Sequence, residues 1–197
     1  MKKITQEFIN HVKLLSSQST IPPTYNPDEW HGSFNCYMYA LNINTNFIGY
    51  RTNPGFLVEE IKQEFAKKEG LLDYNKENLI KFFKDDCKEL KLKVTETTMN
   101  EKVESNEYKI AIYLNSVGRS HFTRQDGNGG WSEKNGWCGS IEVLNEEDID
   151  KSIHGFTFVG VYKVSRKEWD YHSFSNYKKI QKNVWHFFVC VIWCFQI

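Results

Sequence analysis

Asn35-Cys36-Tyr37-Met38-Tyr39-Ala40-Leu41-Asn42 is the stretch whose reading decides the fold. Pro22, Pro23 and Pro27 hold the chain before it in an extended path, so no helix spans them. Gly32-Ser33 then offers a start, with Ser33 as the expected N-cap, Cys36 in the first turn and Tyr37, Ala40 and Leu41 sharing a face. That position gives a thiol chemical meaning. Free amides and the positive end of the helix dipole favour a thiolate and hold a developing oxyanion. Taken alone, however, the stretch fits a core cysteine on an aromatic helix better.

A second stretch changes the balance. His121-Phe122-Thr123-Arg124-Gln125-Asp126 runs through Gly127-Asn128-Gly129-Gly130 into Trp131-Ser132-Glu133-Lys134, two strand-like runs about a glycine-rich turn. A cysteine with a distant histidine that the fold can bring beside it is the pattern of a nucleophile and its base.

The remaining elements place these motifs. Helices are expected over Glu7–Leu15, where Phe8, Ile9, Val12 and Leu15 recur at helical spacing, over Gly55–Lys68, and over Lys76–Leu90 with Cys87 on the inner face. The period then changes. Lys91–Thr95 alternates like a half-buried strand, Lys109–Leu114 is a nearly continuous apolar strand, and Phe156–Val164 supplies a long last one. Helices first and an antiparallel sheet second make an α+β domain. The expected partition is an N-terminal helix and linker over 1–25, a catalytic domain over 26–170, and an extension over 171–197.

Composition sets the bounds. The 197 residues are 40% apolar and 15% aromatic, enough to bury a core, and 25 basic residues balance 25 acidic ones. A zero net charge gives no field directed at nucleic acid. Five cysteines, an odd and scattered set, do not form a disulfide framework, which points to a reducing compartment. The N-terminus lacks the continuous apolar core of a signal peptide, so the expected location is cytoplasmic, or exported as an effector by a signal-independent route. The apolar run at 185–197 is too short to span a bilayer; it reads as a buried strand, with membrane or partner contact as the alternative. Cys190, Cys194 and His186 fall short of a zinc signature, and no metal or other cofactor is expected. His11, His31, His154 and His172 have no partner motif and read as surface or packing histidines.

The pairing of Asn35-Cys36-Tyr37 with His-x-x-Arg-Gln-Asp and Gly-x-Trp-Ser-x-Lys resembles a bacterial group of papain-like cysteine peptidases, and more loosely the cell-wall amidases of that superfamily. The resemblance covers about Gly32 to Val164. It implies a papain-like fold in which the cysteine opens a helix, the histidine opens a strand of the facing sheet, and a polar residue on the next strand orients the imidazole. Carried over, Cys36 is the nucleophile and His121 the base. The orienting position, a histidine in the group's hairpin, is Glu133 here, and a carboxylate is chemically competent there. Asp126 is the alternative orienter, although an Asp before Gly commonly just makes the turn. Oxyanion donors are expected from the Cys36 amide and Asn35. Arg124 and Gln125 also match the group, with Arg124 expected to stack on Trp131 and tie the hairpin to the sheet.

The expected activity is therefore cleavage of a peptide, isopeptide or amide bond in a protein or peptide substrate, through a thiolate-imidazolium pair and a thioester. Two alternatives stay open: an acyltransferase of transglutaminase type, and an inactive papain-like scaffold that binds a partner or a membrane.

Overall fold

The structure is a computed structural model that describes residues 4–30, 35–44, 52–58, 72–136 and 139–166. Helix α1, Gln6–Gln18, starts where the Thr5 hydroxyl accepts from the Phe8 amide, and it buries Phe8, Ile9, Val12 and Ser16 on one face. Helix α2 is the short Cys36–Ala40. Helix α3, Lys76–Glu89, opens with a reciprocal capping box between Asn75 and Asn78 and buries Leu79, Phe83, Asp86 and Cys87. Strands β1 Leu92–Thr97, β2 Glu107–Leu114, β3 Ser120–Gln125, β4 Trp131–Lys134, β5 Ile141–Leu144 and β6 Thr157–Arg166 follow. They form one antiparallel sheet in the order β1-β6-β2-β3-β4-β5. The architecture is α+β.

Both faces of the sheet are covered, which explains why β2 reads as an unbroken apolar run. On one face Ile110, Ile112, Phe122, Tyr162 and Val164 pack with residues of all three helices. On the other, Ala111, Tyr113, Trp131 and Val161 lie with Ile149 and Ile153 from the segment between β5 and β6. The sequence periodicity did not reveal β5, whose side chains stay partly or largely exposed.

The compact unit is Met1–Arg166, and α1 belongs to its core. Arg166, at the end of β6, donates to the carbonyls of Ser16, Ser17 and Ser19 and places a cation at the negative end of α1. The extension over 171–197, with the apolar tail, lies outside the described residues, as do His31 and His172. No helix among the described residues is long and apolar enough to cross a membrane.

The helix expected from Gly55 does not begin there. Pro54–Leu57 is a turn, Gly55 has a φ of 96°, and residues 59–68 lie outside the described part. A buried acceptor holds this turn. Asp86, fully buried on α3, accepts from the amides of Gly55 at 2.6 Å and Leu57 at 2.9 Å, and from the Tyr37 hydroxyl at 2.9 Å. Those bonds fix the turn against α2 and α3. Burial pushes the Asp86 carboxyl up to about 7, against the opposing pull of its three donors.

Asp86→Ala leaves three donors in a dry site, and a loss of about 2–4 kcal/mol in urea unfolding is expected. An acid whose folded value is raised stabilises the fold most at low pH. The difference between wild type and Asp86→Ala therefore shrinks as pH rises from 3.8 towards about 7. A difference that grows over that range contradicts the assignment.

Candidate active site

A five-residue helix is too short to persist alone, so contacts at its two ends hold α2 in place. At its start the N-cap is Asn35, not Ser33: the Asn35 Oδ1 accepts from the Met38 amide at 3.1 Å. Its Nδ2 donates to the Thr52 carbonyl and to Asn53 Oδ1. Cys36 becomes the first helical residue. At its end the helix closes in a Schellman arrangement, Asn42 N to Tyr39 O and Ile43 N to Met38 O, with Asn42 in the left-handed region at φ 54°.

Arg124 secures that end to the sheet. It is fully buried and donates to Asp126 Oδ1 at 2.9 Å, the Tyr39 carbonyl at 3.0 Å, Asn42 Oδ1 at 2.9 Å and the Thr24 carbonyl at 3.1 Å. Its guanidinium lies 3.8 Å from the Tyr39 ring centroid and 5.3 Å from that of Trp30. Tyr39 and Trp30, on the helical face, are the stacking partners, whereas the expected Trp131 packs in the core of the opposite face. Asp126 is also committed, accepting from Ser132 Oγ at 2.6 Å, while the Ser132 oxygen pairs with the Tyr39 hydroxyl at 2.7 Å. Asp126 therefore serves Arg124 and does not orient the histidine.

The β3–β4 register places Thr123 opposite Glu133 and makes Glu133 the diagonal neighbour of His121 on the same face. His121 Nε2 meets Glu133 Oε2 at 2.5 Å, and the Cys36 side chain hydrogen-bonds to the same imidazole. With Nε2 occupied, Nδ1 is the ring atom left for the thiol. Cys36 and His121 are 8% and 5% exposed, and Glu133 is wholly buried. Burial by itself would lower the His121 pKa; the negative charge and hydrogen bond of Cys36, followed by those of Glu133, outweigh it and raise the value to about 10. Burial likewise opposes ionisation of Glu133, but hydrogen bonds from His121 and His154 hold its carboxyl below the usual range.

Cys36, His121 and Glu133 are thus brought together. Asn35 is adjacent, but its side chain is used in capping and in tethering 52–53, which leaves no role as an oxyanion donor. His154, read in the sequence as a surface or packing residue, instead places Nε2 2.6 Å from Glu133 Oε1. Nothing in its local sequence except the following glycine signals that contact. Cys87 is buried and free, as a core filler. Among the described residues no group of three or more His, Cys, Asp and Glu side chains is arranged to hold a metal ion. The assembled groups are a thiol, an imidazole and a buried carboxylate, with the thiol and the carboxylate both hydrogen-bonded to the one ring.

Two outcomes follow from this geometry. Arg124→Ala strands the Asp126 charge and the carbonyl acceptors, and a loss of about 3–5 kcal/mol in unfolding free energy is expected; a variant within 1 kcal/mol of wild type contradicts the clamp. For His121, ring resonances followed by NMR should titrate near the raised value of about 10, and Cys36→Ala or Glu133→Gln should move the midpoint down towards 6.5. Because that folded value is raised, the stabilisation is complete below 6.5 and is lost as pH rises through about 10.

No characterised protein and no solved structure matches the chain in a search. A family designated DUF7689, a domain of unknown function, matches residues 27–163. That span holds Cys36, His121, Glu133, His154 and the Arg124 network and exceeds half of the sequence, so the chain belongs to the DUF7689 family.

Proposed function

We propose that this chain is a papain-like cysteine hydrolase that cleaves a peptide, isopeptide or amide bond. The observation that carries the reading is the bracketing of one imidazole by a thiol and a buried carboxylate. Helix-first, sheet-second order and the cysteine at the opening of a helix support it.

The Cys36 thiolate attacks the substrate carbonyl carbon, forming a C–S bond and a tetrahedral oxyanion. The Cys36 backbone amide, at the first helical position and outside the intrahelical ladder, is a donor for that oxygen. Collapse breaks the C–N bond as the His121 imidazolium gives its proton to the leaving amine. Neutral His121 then takes a proton from water, the hydroxide adds to the thioester, and release of the acid restores thiolate and imidazolium. With an amine in place of water the same steps give acyl transfer.

A carboxylate at the orienting position supports an active enzyme over an inactive scaffold, because it fixes the ring and stabilises the cation that the reaction needs.

Iodoacetamide labelling at pH 7, mapped by mass spectrometry, tests the reading. Cys36 is expected to alkylate faster than every other cysteine of the native protein, and His121→Ala is expected to slow it by about 10-fold or more, since an ordinary thiol with a pKa of about 8.5 is only a few per cent thiolate at pH 7. Alkylation of Cys36 at the rate of an ordinary thiol, unchanged in His121→Ala, removes the proposal.

A further inference from the structure

Ile153 and Phe156 exchange backbone hydrogen bonds, N to O at 3.0 Å and 2.7 Å, around the two residues His154 and Gly155. Both central residues have positive φ, 50° for His154 and 80° for Gly155, as in a type I′ turn. Asn, Asp or Gly is the usual occupant of the first position, and a larger L residue there carries strain. Histidine is among the few non-glycine residues enriched in this conformation, and here it has a further, local reason.

The reason lies in where the ring points. The His154 side chain is 44% exposed at its outer end, yet its Nε2 is 2.6 Å from Oε1 of the fully buried Glu133. The other Glu133 oxygen, Oε2, faces His121 Nε2 at 2.5 Å. Each oxygen of the carboxylate is thus held by one histidine, and the two rings stand edge to face with centroids 6.0 Å apart. Phe156, the next side chain past the turn, packs at 5.6 Å from the His121 ring, so the same turn also walls the imidazole. Glu133 sits on a strand whose main chain fixes its Cα but leaves its side-chain torsions free. A single hydrogen bond to His121 would let carboxylate and imidazole rotate together, whereas a second donor on the opposite oxygen fixes the carboxylate plane.

We propose that His154 is a positioning residue of the active site: from a strained turn on the segment between β5 and β6 it locks the Glu133 carboxylate, and through it sets the orientation of His121 towards Cys36. This role rests on the cysteine-hydrolase reading. It does not depend on the charge of His154, since the neutral ring donates from Nε2 as well as the cation does.

His154→Asn separates the role from folding, because Asn suits a left-handed turn position but is too short to reach Glu133. The expected result is unchanged or higher thermal stability together with Cys36 alkylation slower by about 3- to 10-fold, the scale of coupling between adjacent groups. His154→Gln, which restores an N–H donor at longer reach, should recover most of the rate. In a Glu133→Gln background His154→Asn should add no further loss, since its effect passes through that carboxylate. NMR titration of His121 should shift down in His154→Asn. Normal alkylation and an unmoved His121 titration in His154→Asn, with His121→Ala still slow, overturn the positioning role and leave the hydrolase reading standing. Equal rates for wild type and His121→Ala overturn both.

Discussion

The buried Arg124–Asp126 pair is the constraint on which the site depends. Helix α2 has five residues, and nothing in its own length fixes where it points. Arg124 reaches from β3 to the Tyr39 carbonyl in the last turn of that helix and to the Asn42 side chain just past it, while its charge is balanced by Asp126 beyond the end of the same strand. The planar guanidinium supplies donors in fixed directions, so it specifies an angle as well as a distance. Once the C-terminal end of α2 is attached to β3, the opposite end, carrying Cys36, can be set against His121 three residues upstream of Arg124. A lysine would neutralise Asp126 but would not define that geometry.

The other end of α2 is held by different means. Asn35 caps the helix and ties it to Thr52 and Asn53, and Asp86 draws Tyr37 and the amides of Gly55 and Leu57 onto α3. The two tethers meet on the 52–58 segment, one at Thr52 and Asn53, the other at Gly55 and Leu57. A short helix is thereby fixed at both ends by polar groups that are almost completely buried, where an unmade bond is costly. The site is rigid because its supports would each leave an orphaned donor or acceptor if they moved.

Much of this was legible in the sequence. The helix over Lys76–Leu90 and the strands at 109–114, 121–125 and 131–134 lie close to their expected positions, because each has a long period or a turn made of glycines. Cys36, His121 and Glu133 were identifiable as a set, and the strand register puts Glu133, and not Asp126, beside His121. What stayed hidden has a common cause. Trp131 or Tyr39 as the partner of Arg124, Ser33 or Asn35 as the cap, and the role of His154 are all decided by which groups meet across the fold, and none leaves a periodic trace. Gly55 shows the same limit: its turn is held by an aspartate on a later element.

The charges also bear on how one imidazole serves two opposite steps. Of the influences that raise the His121 pKa, the charge of Cys36 stands first, ahead of Glu133. In the proposed reaction the attacking sulfur carries that charge, with the ring a cation beside it. Formation of the thioester removes that charge. What remains around His121 is burial, which favours the neutral ring, and Glu133, which favours the charged one. The ring's affinity for its proton therefore drops at the moment when it must give that proton to the leaving amine. It rises again only as water adds and the thiolate reforms. Glu133 keeps its orientation and tautomer throughout, because its contribution does not change with the state of the sulfur. A site with the carboxylate alone would hold the proton equally through both halves of the reaction; one with the thiolate alone would lose its geometry with its charge.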